Sequence, residues 1–218
     1  YYVPFLREVM KLSRDCQTRC ISGRRVAYCG TEGAFASLAA RKQFPEASLV
    51  GFPDFAGAYA AVENGDCDCA VLPIENSMAG DVGTVMDLLF SGSLYVNGVV
   101  ELEVVQNLMA QPGSRLADIR TVVSHPQALE QCGEYIRAHG LKTVAYSNTA
   151  LAAQYVKGLN DPTVAAIASE ETAQLFGMEI LDRAINTAHV NTTRFVVLSR
   201  SERMPDPFSR NENEHFIL

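Results

Sequence analysis

From Arg25 onward, short apolar runs alternate with stretches at helical spacing, the pattern of an open α/β sheet whose helices cover its faces. RVAYC (25–29), ASLVGF (47–52) and CAVLPI (69–74) read as buried strands. Between them, FASLAARKQF (35–44) and DFAGAYAAVENG (54–65) repeat their apolar positions with helical period, the second capped by Asp54 and stopped by Gly65. The stretch 91–113 reads as extended segments that cross between two lobes. A second series follows, with strands at TVVS (121–124), KTVAY (142–146) and TVAAIA (163–168), each running directly into a helical stretch. Two such series joined by extended chain predict two lobes and a cleft.

The ends differ from this pattern. Residues 1–22 place Tyr2, Phe5, Leu6, Val9 and Leu12 on one helical stripe, whereas 201–214 is polar and proline-bearing like a linker before the apolar HFIL. Both ends are expected to be cuts in a longer polypeptide.

Composition narrows the class. The 218 residues are 48% hydrophobic and 20% charged with a net charge of −7, which argues against disorder and against nucleic acid as a partner. Apolar runs such as CAVLPI fall far short of the roughly 20 residues that a bilayer span needs, and no charged-then-apolar leader opens the chain. A soluble, cytoplasmic protein without membrane contact is expected. Six cysteines, at 16, 20, 29, 67, 69 and 132, lack a repeated C-x-x-C pair, and the four histidines stand singly. Free buried thiols and no metal site are therefore expected.

Four segments carry candidate chemistry. In YCGTEGAFAS (28–37), Gly30 and Gly33 let backbone amides approach a ligand at a helix start, or simply make a tight turn. In VLPIENSMAGDVG (71–83) a strand ends in Glu75, Asn76 and Ser77, either a ligand-holding cluster or a capping loop with Asn76 or Ser77 as N-cap. In VVSHPQALEQC (122–132), Pro126 suits a first helical turn, Ser124 or His125 caps it, and Gln127 and Gln131 lie one turn apart. In NTAHVNTTRFVVLS (186–199), Thr193, Arg194 and Phe195 at a strand mouth offer a hydroxyl, a cation and an aromatic wall. No Ser-His-Asp order, phosphate-binding lysine loop or H-E-x-x-H appears. Hydroxyls, carboxamides and backbone amides suit recognition of a small carboxylate, either by an enzyme or by a non-catalytic binding module.

Taken in order and spacing, GTEGAFA, PIENSMAGDVG, SHPQALEQC and NTTRF resemble the prephenate dehydratase family, over about residues 25–199. The resemblance implies an α/β, two-lobed fold like that of type 2 periplasmic binding proteins, with the active site in the interlobe cleft. It also implies the decarboxylative dehydration of prephenate to phenylpyruvate in phenylalanine biosynthesis, a lyase reaction without a cofactor. The family's catalytic threonine maps to Thr193. Substrate-binding positions carried over are Asn76, Ser77, Ser124, Gln131, Arg194 and Gly33, with Glu75, His125 and Phe195 as possible supporting groups. Glu75, which would repel a dianion if ionised, is expected in a structural bond. The same chemistry on arogenate is the alternative. The first motif departs from the family, with Thr31 after Gly30 and alanines at 34 and 36.

The likeness extends outward. PFLREVMKLSRDCQ (4–17) resembles the last helix of the all-helical chorismate mutases, with Ser13 and Gln17 one turn apart, and EHFIL (214–218) resembles the first strand of a phenylalanine-sensing ACT domain. The expected division is therefore a mutase remnant and linker over 1–24, a first lobe over 25–101 and 188–199, a second over 102–187, and a linker with a truncated regulatory domain over 200–218. A homodimer or higher is expected. Phenylalanine is expected as an effector only of the full-length protein, so 1–218 should lack both mutase activity and phenylalanine feedback.

Overall fold

The computed structural model describes residues 2–10, 13, 24–188 and 190–202. It contains two sheets. In the first, β1 (Arg25–Cys29), β2 (Ser48–Phe52), β3 (Cys69–Asn76), β4 (Gly80–Asp81) and β5 (Tyr95–Glu103) come from the chain's first half, and β11 (Thr192–Ser199) returns to join them. In the second lie β6 (Asn107–Ala110), β7 (Thr121–Ser124), β8 (Lys142–Ala145), β9 (Val164–Ala168) and β10 (Glu179–Asp182). The helices are α1 (2–10), α2 (Phe35–Gln43), α3 (Phe55–Glu63), α4 (Gly83–Ser91), α5 (Pro126–Gln131), α6 (Gly133–Ala138), α7 (Thr149–Leu159) and α8 (Glu170–Phe176).

The sheet orders are β2-β1-β3-β11-β5, with β4 beside β3, and β10-β6-β9-β7-β8. Read from the other edge, the second order is β8-β7-β9-β6-β10, so both lobes use one plan. The second, first and third strands of the lobe run parallel, next comes a strand adjoining a crossing between lobes, and a last strand closes the edge. That inserted strand, β11 or β6, is antiparallel to both neighbours. This is the two-lobed architecture that the alternating pattern predicts, and the binding-protein-like plan that the family resemblance implies, although no repeat is visible at the level of residue identity.

Each sheet packs apolar side chains on both faces, with the edge strand β8 exposed. One face of the first packs Ala27, Leu72, Val196 and Leu198 against α3 and Val85 of α4. The other packs Val26, Tyr28, Val71, Phe195 and Val197 against Ala36, Ala39 and Ala40 of α2. Small side chains let the helices approach closely, and α7 does the same in the second lobe with Ala152 and Ala153. Helix starts follow local chemistry. The Asp54 carboxylate accepts from Gly57 N at 2.7 Å and the Asn148 side chain from Leu151 N at 2.7 Å. The chain ends α8 at Gly177, φ 61°, where a left-handed residue is required.

Two links join the lobes. At the hinge, Val104 N donates to Asn191 O at 2.6 Å, while the Asn186 side chain accepts from Gln106 N at 2.8 Å and donates to Val104 O at 3.0 Å. Between α8 and the loop before α2, Thr172 Oγ1 donates to Gly33 O at 2.8 Å. Residues 2–10 form a helix exposed throughout, as the apolar stripe predicts in part. Leu12, Gln17 and the EHFIL segment lie outside the described residues.

Candidate active site in the interlobe cleft

A register slip builds the centre of the site. Where β3 and β11 pair, Phe195 opposes Pro73 and Arg194 opposes Glu75, so Ile74 has no partner on β11. Such a bulge turns the following side chains over. Leu72 and Ile74 belong to the α3 face, and regular alternation would send Asn76 there too. The extra residue instead sets Asn76 opposite Thr193.

There the Asn76 carboxamide is fully engaged. Its Oδ1 accepts from Met78 N and Ala79 N, both at 3.0 Å, which fixes its orientation. Its Nδ2 therefore faces Thr193 Oγ1 at 2.8 Å and Asn191 Oδ1 at 2.8 Å. The strand thus continues through Asn76 and turns into β4, and α4 starts only at Gly83, so neither Asn76 nor Ser77 is an N-cap. Ser77 Oγ accepts from Thr192 N at 3.0 Å and Ser77 N donates to Thr192 O at 2.9 Å, fastening the turn to the mouth of β11.

The other sequence-derived positions divide into three groups. Gln131 lines a small cavity with Met78, Asn186, Ala188 and Asn191, of about 10 Å³, room for roughly one water. Ser124 and Gly33 have their polar groups already used. Ser124 is fully buried and donates to Ile167 O at 2.6 Å, tying β7 to β9. Gly33 N donates to Ser37 Oγ at 3.0 Å and its carbonyl receives Thr172, so the first glycine loop docks on the second lobe. Arg194 and Phe195 face elsewhere. The Arg194 guanidinium, half exposed, holds Glu101 at 2.8 Å and Glu75 at 3.1 Å. Phe195 is sunk in the core against α2, where its burial makes it packing rather than a cleft wall.

His125 caps α5, its Nδ1 accepting from Gln127 N at 3.3 Å. Burial lowers its pKa, so the imidazole stays neutral at pH 7, as the capping reading of this segment expects. Burial pushes the Cys132 thiol up to about 12. Cys29, Cys67 and Cys132 are free thiols, and Cys16 and Cys20 lie outside the described residues. Among the described residues no cluster of three or more His, Cys, Asp or Glu could hold a metal ion, and no helix is long and apolar enough to cross a membrane.

A roomier void of about 360 Å³ lies beside the hinge, where Phe35, Leu38 and Leu102 face Ser169 and Glu170. Its charged lining is Glu103, Glu171 and the Glu170–Arg183 ion pair, a carboxylate excess that repels a dianion. The small cavity beside Asn191 offers neutral amides instead. Sequence reasoning missed Asn191, Asn186 and Thr172; the polar density of 186–193 was the available signal for the first two.

Two lobes, each built on its own sheet, and a buried hydroxyl set among carboxamides define a two-lobed α/β protein with a candidate site. Residues 26–203 match the family model for prephenate dehydratase, and the chain belongs to that family. It is 40% identical over 181 residues to arogenate dehydratase/prephenate dehydratase 2, chloroplastic, of Arabidopsis thaliana, covering 83% of this chain and 48% of that one. It is 34% identical to a bifunctional chorismate mutase/prephenate dehydratase of Neisseria gonorrhoeae, covering 89% and 55%. Among solved structures, prephenate dehydratase of Arthrobacter aurescens in complex with L-Phe aligns with TM-score 0.77 at 27% identity, covering 84% of this chain and 62% of that one. GqqA, described as a novel type of quorum quenching acylase, aligns with TM-score 0.76 at 37% identity, covering 84% and 67%. The chain spans about half the length of the curated relatives it matches.

Proposed function

We propose that this chain carries prephenate dehydratase activity, with Thr193 as the catalytic residue and Asn76, Gln131 and Ser77 forming or framing the substrate site. In the reaction the bond from the ring to its carboxylate breaks and leaves its electron pair in the ring. The ring-to-hydroxyl bond breaks with its pair on oxygen, and the products are phenylpyruvate, carbon dioxide and hydroxide, which a proton converts to water. One observation carries the reading: Thr193 Oγ1 receives Asn76 Nδ2 at 2.8 Å. A hydroxyl has one hydrogen and two lone pairs, so with a donor already seated on its oxygen the hydrogen is free to donate. A hydrogen bond of about 2.8 Å to the departing oxygen strengthens as charge builds there. Threonine is far too weak an acid to ionise first, so it acts as a donor in the transition state. Desolvation of the ring carboxylate by the meeting lobes favours its loss as neutral carbon dioxide.

Arogenate is the second reading, favoured by relatives named arogenate dehydratase. An acylase reading has less support. Hydrolytic acyl transfer needs a nucleophile with a base in reach, and among the described residues Thr193 Oγ1 is bonded to a carboxamide. Cytoplasmic location, a homo-oligomer, a native mutase–dehydratase–regulator fusion and regulation by phenylalanine in the full-length protein belong to the same proposal. The test measures phenylpyruvate released from prephenate beside phenylalanine released from arogenate. Thr193→Val keeps the shape and deletes the donor, so kcat should fall by ~10²-fold or more with a smaller change in KM. Turnover of either substrate by the Val variant within about threefold of the parent would remove Thr193 from the chemistry.

A further inference from the structure

Asn191 is the one member of the Thr193–Asn76–Asn191 chain whose hydrogen bonding is left half made. The residue is 3% exposed, its Oδ1 accepts from Asn76 Nδ2 at 2.8 Å, and its backbone carbonyl accepts from Val104 N at 2.6 Å. Its Nδ2 is buried with no partner among the described residues. The side chain borders the small cavity shared with Gln131 and Asn186. Its orientation is determined by its neighbours. Two backbone amides fix Asn76 Oδ1, so Asn76 presents an NH₂ to Asn191, and only the oxygen of Asn191 can receive it. The NH₂ of Asn191 is thereby turned away from Asn76. A buried donor without an acceptor is costly unless something else fills the place.

We propose that Asn191 recognises the substrate directly, donating from Nδ2 to an oxygen of the keto-acid arm while its Oδ1 holds the Asn76 carboxamide on Thr193. The assignment rests on the dehydratase reading of this cleft, and the reaction itself selects the arm. The ring hydroxyl belongs to Thr193, and a donor on the ring carboxylate would hold back the group that must leave. The arm persists into the product, so a donor to it acts equally in ground and transition states and shows itself in KM.

Two variants separate the two halves of the residue. Asn191→Asp keeps an acceptor for Asn76 and loses the ligand-side donor; KM for prephenate should rise ~10-fold or more with kcat within about threefold. Asn191→Ala removes both, so kcat should fall as well. If KM of Asn191→Asp stays within about threefold of the parent, the ligand contact does not exist and Asn191 only positions Asn76. Should the Asp variant fail to fold, Asn191→Ser carries the test, because its short hydroxyl cannot reach both partners and the same rise in KM is expected. If the parent turns over neither prephenate nor arogenate, the dehydratase reading falls by itself. Calorimetry with phenylpyruvate then decides the donor: weaker binding by the Asp variant supports it, and equal affinity or no binding by either protein overturns it.

Discussion

Thr193 and Arg194 point to opposite faces of β11 because successive side chains on a strand alternate. Thr193, buried, joins Asn76, whereas Arg194 joins Glu75 and Glu101 on the other face, where all three are about half exposed. Exposed ion pairs contribute little to stability, and this one supplies no charge to the small cavity. Arg194→Ala should therefore leave KM for prephenate within about threefold and lower stability by no more than about 1 kcal/mol, as steady-state kinetics and urea unfolding would report. A KM increase comparable to that of a cleft variant would return Arg194 to the substrate site. The resemblance carried Arg194 as a binding residue because a motif lists neighbours without saying which face each takes. Glu75, in contrast, was expected in a structural bond from its charge alone, and the Arg194 pair supplies one.

At the scale of elements, α5 shows a cap that depends on pH. His125 Nδ1 accepts the Gln127 N–H only while the imidazole is unprotonated there, and burial lowers its pKa below the ordinary 6.5. Above 6.5 the imidazole is neutral whether the chain is folded or unfolded. Below it the unfolded chain takes up a proton that the folded one refuses, so stability falls with pH until the lowered folded value is reached. His125→Asn, which can still cap, should flatten that acid limb in thermal melts run from pH 7 to 5 while leaving kcat near that of the parent. An acid limb of unchanged steepness would assign it to other groups. The β3–β11 bulge works at the same scale: without the unpaired Ile74, Asn76 would turn toward the α3 face and Thr193 would lose the donor that orients its hydroxyl.

For the whole molecule, the contact between Gly33 and Thr172 joins the lobes through a side-chain hydrogen bond apart from the crossing strands. Thr172 is fully buried, and a side chain at Gly33 would meet Leu175 and Thr172 at 3.2 Å with φ at +87°. On the proposed reading, the cavity of about 10 Å³ beside Asn191 is too small for prephenate, and parting of the lobes would admit it. Thr172→Val keeps the volume and deletes the bond, worth about 1 kcal/mol, which shifts the balance toward the parted form by about fivefold. Small-angle scattering should show a larger radius of gyration and kinetics a higher KM. A radius and KM equal to those of the parent would mean that this contact does not govern closure.

Binary patterning made the strands and helices of both lobes legible, since a buried strand and an amphipathic helix differ in period and every predicted strand from 25 to 168 recurs in the fold. The caps at Asp54 and His125 were legible too, being local side-chain chemistry. The order of four motifs marked the family. What the sequence could not contain was the pairing of residues more than a hundred positions apart. The bulge that turns Asn76 onto Thr193 and the crossing that brings Asn191 beside Asn76 both depend on β11 returning from the second lobe to lie between β3 and β5. Local sequence chose the elements because their energies depend on neighbours in the chain; the site required the register between strands, which only long-range packing decides.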